Sequence, residues 1–267
     1  QEIIHYPVPA LEPTDTLSQS ERIQEGGLLN AIGGIATKTG SADTAVECFE
    51  LALKVAEQES DQALMGSVIC NLGEVYHTQG NIQLAIDYHQ KALTIAHEIQ
   101  DRSVEGSALN GLGNDECDRG NPQQAIRYFE KALALAREIR NKQGEMAALA
   151  NMGIVYHRLG EIRRSIQYQE QALDIARKLG DRSGESMALS NLGGIYSDLS
   201  DDRRAIQYLE QSLAIKIELG DRHSQIATLN NLANAYRNLG DTRHAFDNYN
   251  KSLEIALGMG DRRGEAF

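Results

Sequence analysis

The chain has 267 residues, 41% of them hydrophobic and 24% charged, with four prolines, three cysteines and no tryptophan. Its formal net charge is −12, and residues 1–100 hold 4 Lys/Arg against 14 Asp/Glu while the remainder holds 22 against 24. Such a balance repels phosphate backbones, and no apolar run nears the ~18–20 residues of a membrane span, so neither nucleic acid nor a membrane is expected as a partner.

The first twenty residues, QEIIHYPVPALEPTDTLSQS, contain three of the four prolines and lack both the basic start and the continuous apolar stretch of a signal peptide. Residues 1–20 read as an extended, proline-containing segment or a linker from an upstream region, and the missing initiator Met points to a processed chain. Ile3, Ile4, Tyr6, Val8 and Leu11 form an apolar strip, which offers a sharper alternative in which the segment mimics a ligand. Ser18 and Glu21 have the spacing of a capping box at the start of the first helix.

From residue 21 the chain repeats itself every forty residues. One column reads Ile32, Leu72, Leu112, Met152, Leu192, Leu232, and the next reads Gly33, Gly73, Gly113, Gly153, Gly193, Ala233. Three positions on stand Tyr76, Glu116, Tyr156, Tyr196 and Tyr236, with Ala36 in the first copy. A small residue recurs at Ala45, Ala85, Ala125, Ser165, Ala205 and Ala245. Periods of 20–50 residues mean stacked supersecondary units, each unable to cover its apolar faces alone.

Each unit divides into two amphipathic helices. In the fifth copy Ala205, Ile206, Leu209, Leu213 and Ile217 recur at three- and four-residue steps. Gly220 fits a left-handed C′ position and Asp221 the N-cap that follows, while Asn121 before Pro122 reads as a cap with proline at the first helical position. Helix A is expected at about 21–38, 62–79, 102–119, 142–159, 182–199 and 222–239. Helix B is expected at about 42–59, 81–99, 121–139, 161–179, 201–219 and 241–259. The glycine column is expected to let helix A approach a flat spot made by the alanine column. The six repeats then run at about 21–60, 61–100, 101–140, 141–180, 181–220 and 221–260. Asp261 to Phe267 opens a seventh repeat, so the natural protein is expected to continue and the end to self-associate. Cys48, Cys70 and Cys117 lack CxxC spacing and read as free thiols of a reducing, cytoplasmic compartment.

The stretches LGEVY (72–76), MGIVY (152–156) and LGGIY (192–196), followed by Ala and an aromatic on helix B, resemble the tetratricopeptide repeat over residues 21–260. The forty-residue length and the NLG or NLA start look like the Pins/LGN-type and bacterial long-repeat scaffolds, and more distantly like kinesin light chains. The usual proline at the end of helix B is absent, with His97, Arg137 and Arg177 in its place. The resemblance implies an all-α fold, a right-handed α-solenoid (superhelix) of six such helix pairs, whose concave groove binds an extended peptide of a protein partner.

An amide column supplies the candidate site. Asn71, Asn151, Asn191 and Asn231 share one position of helix A, where Ala31 and Gly111 break the series, and Asn30, Asn110, Asn114, Asn230 and Asn234 lie beside it. A carboxamide both donates and accepts, so it pairs with a peptide group whatever the sequence. The resemblance implies backbone contact for the four matching Asn; the alternative is that they tie helix A to the next layer. Lys38, Glu74, His77, Asp118, Arg158, Asp198 and Arg237 follow one turn away with alternating sign. Arg158 and Arg237 are placed to receive acidic ligand residues. The two-Lys carboxylate clamp of chaperone-binding repeats is not in place, because the matching columns hold Cys70, Asn110, Ala150, Ser190 and Ser67, Ser107, Ala147, Met187. His77, Cys117 and His157 share a column, but residues two layers apart stand about twice the ~8–10 Å helix spacing from each other, too far for one metal ion. No metal or cofactor is expected. No nucleophile, acid–base pair or phosphate loop converges on one layer, so an enzyme is not expected. The reading is a non-catalytic protein–protein interaction scaffold; the alternative is the sensor arm of a larger signalling protein, a nucleotide-dependent switch or a caspase-like protease.

Overall fold

A computed structural model describes residues 18–259, so the expectations for 1–17 and 260–267 lie outside the described residues. The described residues form α1 (Gln19–Lys38), α2 (Ala42–Gln58), α3 (Gln62–Thr78), α4 (Ile82–Ile99), α5 (Arg102–Asp118) and α6 (Pro122–Glu138), followed by α7 (Lys142–Arg158), α8 (Ile162–Leu179), α9 (Arg182–Asp198), α10 (Asp202–Glu218), α11 (Arg222–Asn238) and α12 (Thr242–Met259). There is no strand among them. Helix ends fall within two residues of the sequence expectation.

One turn recurs at every junction and sets the half-period of twenty. The amides of residues 41, 61, 81 and so on to 241 each donate to the carbonyl five residues back, from Ser41 N to Ala36 O at 2.9 Å to Asp241 N to Tyr236 O at 2.9 Å. This closure requires a left-handed residue between, such as Gly220 at φ +70°. Ser60, Gln100, Arg140 and Ser200 take the same conformation at φ 56–58° without being glycine. Asp61, Asp101, Asp181 and Asp221 then cap the following helices, accepting from Leu64, Val104, Gly184 and Ser224 backbone amides at 2.9–3.0 Å. The capping box of Ser18 and Glu21 is present. Asn121 stands at the N-cap of α6 with Pro122 at the first helical position, as expected, but its side chain makes no capping bond; its Nδ2 donates to Glu116 Oε2 at 2.7 Å.

The described residues divide into two compact units, 18–144 (the 2–144 unit below) and 145–259 (the 145–267 unit), with the start of α7 at the boundary. In the first unit α2 packs on α1 and α3, α4 on α3 and α5, and α6 on α5; α1, α3 and α5 also touch in sequence, forming a layer of A helices. In the second unit α9 packs on α8 and α10, α11 on α10 and α12, and α9 touches α11. Helix pairs in each unit therefore pack consecutively, as in a tetratricopeptide solenoid.

The packing rule adds one contact to the expectation. The glycine column meets the small column, where Ser165 Oγ donates to Gly153 O at 2.7 Å, and it also meets the large side chain four residues after that small residue. A Cβ on Gly73 would stand 2.6 Å from the His89 ring, one on Gly153 2.6 Å from Gln169 and one on Gly193 2.6 Å from Leu209; Gly33 and Gly113 meet Phe49 and Phe129 in the same way. Helix A thus accepts a knob from helix B, and the alanine clears its path. In the sixth pair Ala233 replaces glycine, and Tyr249 there stays half-buried with its hydroxyl donating to Asn234 Oδ1 at 2.7 Å. The tyrosine column stacks on a second helix-B column, Tyr76 on Tyr88, Tyr156 on Tyr168 and Tyr196 on Tyr208, with ring centroids 5.2–5.4 Å apart. Cys48, Cys70 and Cys117 are free thiols, the first two buried.

Candidate functional site

The amide column is built into the two units differently. In the 2–144 unit Asn71 Nδ2 donates to Asn30 Oδ1 at 2.8 Å, and Asn30 Nδ2 donates to Ser67 Oγ at 3.2 Å, so these amides tie α1 to α3. Gly111 is buried because the imidazole of His89 occupies its side-chain space. Asn110 is half-buried with its Oδ1 inaccessible and unpaired, and Asn114 is half-buried beside it. For Asn71 the geometry is that of the structural tie.

The 145–267 unit treats the same column differently. Asn151 on α7 is half-buried, Asn231 on α11 is exposed, and among the described residues no hydrogen bond engages either. Asn191 on α9 makes one long contact, Nδ2 to Gln169 Oε1 at 3.4 Å, while Gln169 gives its own amide hydrogen to Ala150 O at 2.9 Å. Asn230 is half-buried, and Asn234 accepts from Tyr249. These amides retain donors and acceptors that the fold does not use.

Two of the acidic residues one turn away meet histidines of the preceding A helix. His77 Nε2 lies 3.4 Å from Asp118 Oδ2, and His157 Nε2 lies 2.9 Å from Asp198 Oδ2, each pair joining successive A helices. His77 and His157 are thus each in contact with an aspartate one repeat on. Glu74 is exposed, as are Arg158 and Arg237; Arg237 has no ion-pair partner among the described residues.

Behind His77 lies a cluster that the spacing of the sequence did not bring into view. Asp115, 0% exposed, accepts at Oδ1 from His77 Nδ1 (2.8 Å) and at Oδ2 from His89 Nδ1 (2.6 Å), and His89 is itself 1% exposed. Burial opposes ionisation of Asp115, yet the hydrogen bonds and charges of the two imidazoles prevail and hold its pKa below the usual carboxylate value. The hydrogen bond to Asp115 raises the pKa of His77, burial opposing in part. The two shifts bound a stability window for the 2–144 unit. The Asp115 contribution is present above the ordinary carboxylate pKa of ~3.9 and is lost as pH falls through its lowered value; the His77 contribution is complete below ~6.5 and is lost as pH rises through its raised value. Melting temperature measured from pH 3 to 9 is expected to plateau between about pH 4 and 6.5, and His77→Gln to remove the decline on the alkaline side.

Among the described residues no group of three or more His, Cys, Asp or Glu side chains is placed to hold a metal ion, and no helix is long and apolar enough to cross a membrane. The sequence model for the tetratricopeptide repeat matches residues 25–98, 105–178, 145–218 and 184–257. No curated protein matches the chain in sequence. Several solved structures share the fold. A Rap protein complexed with Competence and Sporulation Factor is 16% identical with a TM-score of 0.72, over 94% of this chain and 74% of that one. BtubC (BKLC) from P. vanneervenii is 20% identical with a TM-score of 0.68, over 91% and 93%. The Signal Transduction ATPase with Numerous Domains protein with a tetratricopeptide repeat sensor from Pyrococcus horikoshii is 19% identical with a TM-score of 0.66, over 92% of this chain and 41% of that one.

Proposed function

The chain belongs to the tetratricopeptide-repeat family, and from that premise we propose that it is a non-catalytic interaction scaffold that holds an extended segment of a partner protein along the A helices of the 145–267 unit. The observation that carries this reading is the unspent hydrogen-bonding capacity of Asn151, Asn191 and Asn231 on successive A helices. Helices in contact lie roughly 8–10 Å apart, and an extended chain advances ~3.3 Å per residue, so one carboxamide meets about every third residue of the ligand. Each amide pairs with a peptide N–H and C=O without regard to side chain. Arg237 supplies a charge for acidic residues of the ligand. In the other unit Asn71 and Asn30 serve the stacking of helices instead.

The fold shared with a Rap protein complexed with Competence and Sporulation Factor supports the reading, since a protein of the same fold forms a complex. The test is the double variant Asn151→Ala, Asn191→Ala. Each amide contributes about 0.5–1.5 kcal/mol to a bound backbone, so ligand affinity falls roughly 5–150-fold together, while helicity and melting temperature stay near those of the parent. Loss of the fold with loss of binding would return these amides to the structural role they have at Asn71. The likeness to a repeat described as the sensor of a P. horikoshii ATPase favours a second reading, in which the same groove reports a bound ligand to further domains of a signalling protein.

A further inference from the structure

The helix-B column that holds Ala56, Ala96, Ala136, Ala176 and Ala256 holds Lys216 in the fifth pair. Lys216 lies on α10 and is 8% exposed. Its Nζ donates to Ser190 Oγ on α9 and to Thr228 Oγ1 on α11, both at 2.7 Å. The hydroxyl hydrogens have other acceptors: Ser190 and Ser212 are 2.8 Å apart, Ser212 donates to Ser186 O at 2.8 Å, and Thr228 donates to Ser224 O at 2.9 Å. Lone pairs therefore face the ammonium from two sides. An ammonium has three N–H donors, and these two oxygens take two of them.

Among the described residues no carboxylate forms an ion pair with Lys216. Asp221 acts on it only through space, its own oxygen accepting from Ser224 N at 3.0 Å at the start of α11. Burial pulls the Lys216 pKa down, with Asp221 opposing. A buried charge is strongly disfavoured unless it is paired, and hydroxyl oxygens supply no charge. Thr228 on one side of the ammonium is 2% exposed, so any approach is from the Ser190 side. Ser190 is half-buried, and a Cβ on Gly194, one turn further along α9, would touch nothing within 4 Å. Asn191 is the residue next to Ser190.

We infer that Lys216, framed by Ser190 and Thr228, is a carboxylate-binding subsite that takes one acidic group of the partner segment at its third N–H. One buried positive charge matches a monoanion. A phosphate dianion would leave an unmatched charge in a chain already at −12. The inference deepens the groove reading and rests on it for the identity of the carboxylate as part of a peptide. It differs from a clamp built by lysines of the A helices, because this lysine rises from helix B beneath the face.

The experiment uses the full chain labelled with 13C and 15N, and Lys216→Ala as its control. Alanine occupies this column in five other repeats, and each hydroxyl keeps another partner, so the variant retains the fold. Three probes are titrated at constant ionic strength: N-acetylaspartate amide (side-chain carboxylate), N-acetylalanine (terminal carboxylate) and neutral N-acetylasparagine amide. At least one carboxylate is expected to move the Lys216 Cε–Hε and Gly194 amide signals saturably, the neutral probe to leave them unmoved, and the Gly194 shift to fall at least tenfold in Lys216→Ala. The carboxylate that saturates first identifies the source. Absence of a saturable shift with both carboxylates, or an equal Gly194 shift in Lys216→Ala, overturns the inference. The double variant Asn151→Ala, Asn191→Ala leaves these shifts in place, so failure of the subsite and failure of the groove produce different patterns.

Discussion

Alanine in place of Asp115 is expected to destabilise the 2–144 unit by about 3–5 kcal/mol, read as a fall in the urea midpoint at pH 6. The carboxylate is fully buried and holds two imidazoles, His89 at 2.6 Å and His77 at 2.8 Å. His77 is partly exposed and regains water when the carboxylate is removed. His89 does not, because its ring is enclosed between Gly73 and Gly111 on α3 and α5. The variant therefore leaves a buried ring nitrogen without a partner, beside a cavity the size of a carboxylate. Asp115→Asn keeps the volume and one acceptor, so its cost is smaller, about 1–3 kcal/mol. The column of Asp115 otherwise reads Ile35, Val75, Val155, Ile195 and Ala235, and His89 occupies the place of Phe49 and Phe129. Asp115→Val combined with His89→Phe converts this layer to the apolar pattern of its neighbours and is expected to recover most of the loss. A cost below about 1 kcal/mol for Asp115→Ala would mean that the cluster is not holding α3, α4 and α5 together.

Phe129→Ala is expected to cost a similar amount, about 3–5 kcal/mol. The ring is 1% exposed and fills the notch at Gly113 on α5, where a Cβ would overlap it. The reciprocal change, Gly113→Ala, forces the ring outward and costs about 1–3 kcal/mol. The two changes are not additive, since the new methyl group enters the space the ring vacates. The combined variant is therefore expected to lose less than the sum of the two. The sixth pair shows the relaxed form of this arrangement, Ala233 with a Tyr249 that is only half-buried. Additive losses would mean that knob and notch act independently.

The fold is legible in the sequence because most of its local signals recur from one repeat to the next. Gly220, Asp221 and the Ser18–Glu21 box each do in the structure what their residue types imply. Asn121 holds the N-cap position but its side chain makes no capping bond; its Nδ2 donates to Glu116 instead. The site is less legible, for a physical reason: a column fixes the position of a side chain on its helix but not what neighbours it. Asn71 and Asn151 share a column, yet Asn30 engages the first and no hydrogen bond engages the second. His77 and His157 share another, and each is tied to an aspartate one repeat on. The sequence signal for the polar clusters lies in the exceptions. Asp115 in a Val/Ile column, His89 in a Phe column and Lys216 in an Ala column each mark a layer whose interior is polar. Columns read for agreement alone pass over them.

The decisive measurement is an N-methyl scan of a peptide selected on the full chain from a random library, with Kd determined for each methylated position. If Asn151, Asn191 and Asn231 read a backbone, methylation weakens binding tenfold or more at positions about three residues apart, and those losses disappear in the Asn151→Ala, Asn191→Ala protein. A peptide that tolerates methylation at every position, or whose losses are unchanged in the double variant, would show that these amides do not hold the ligand's main chain.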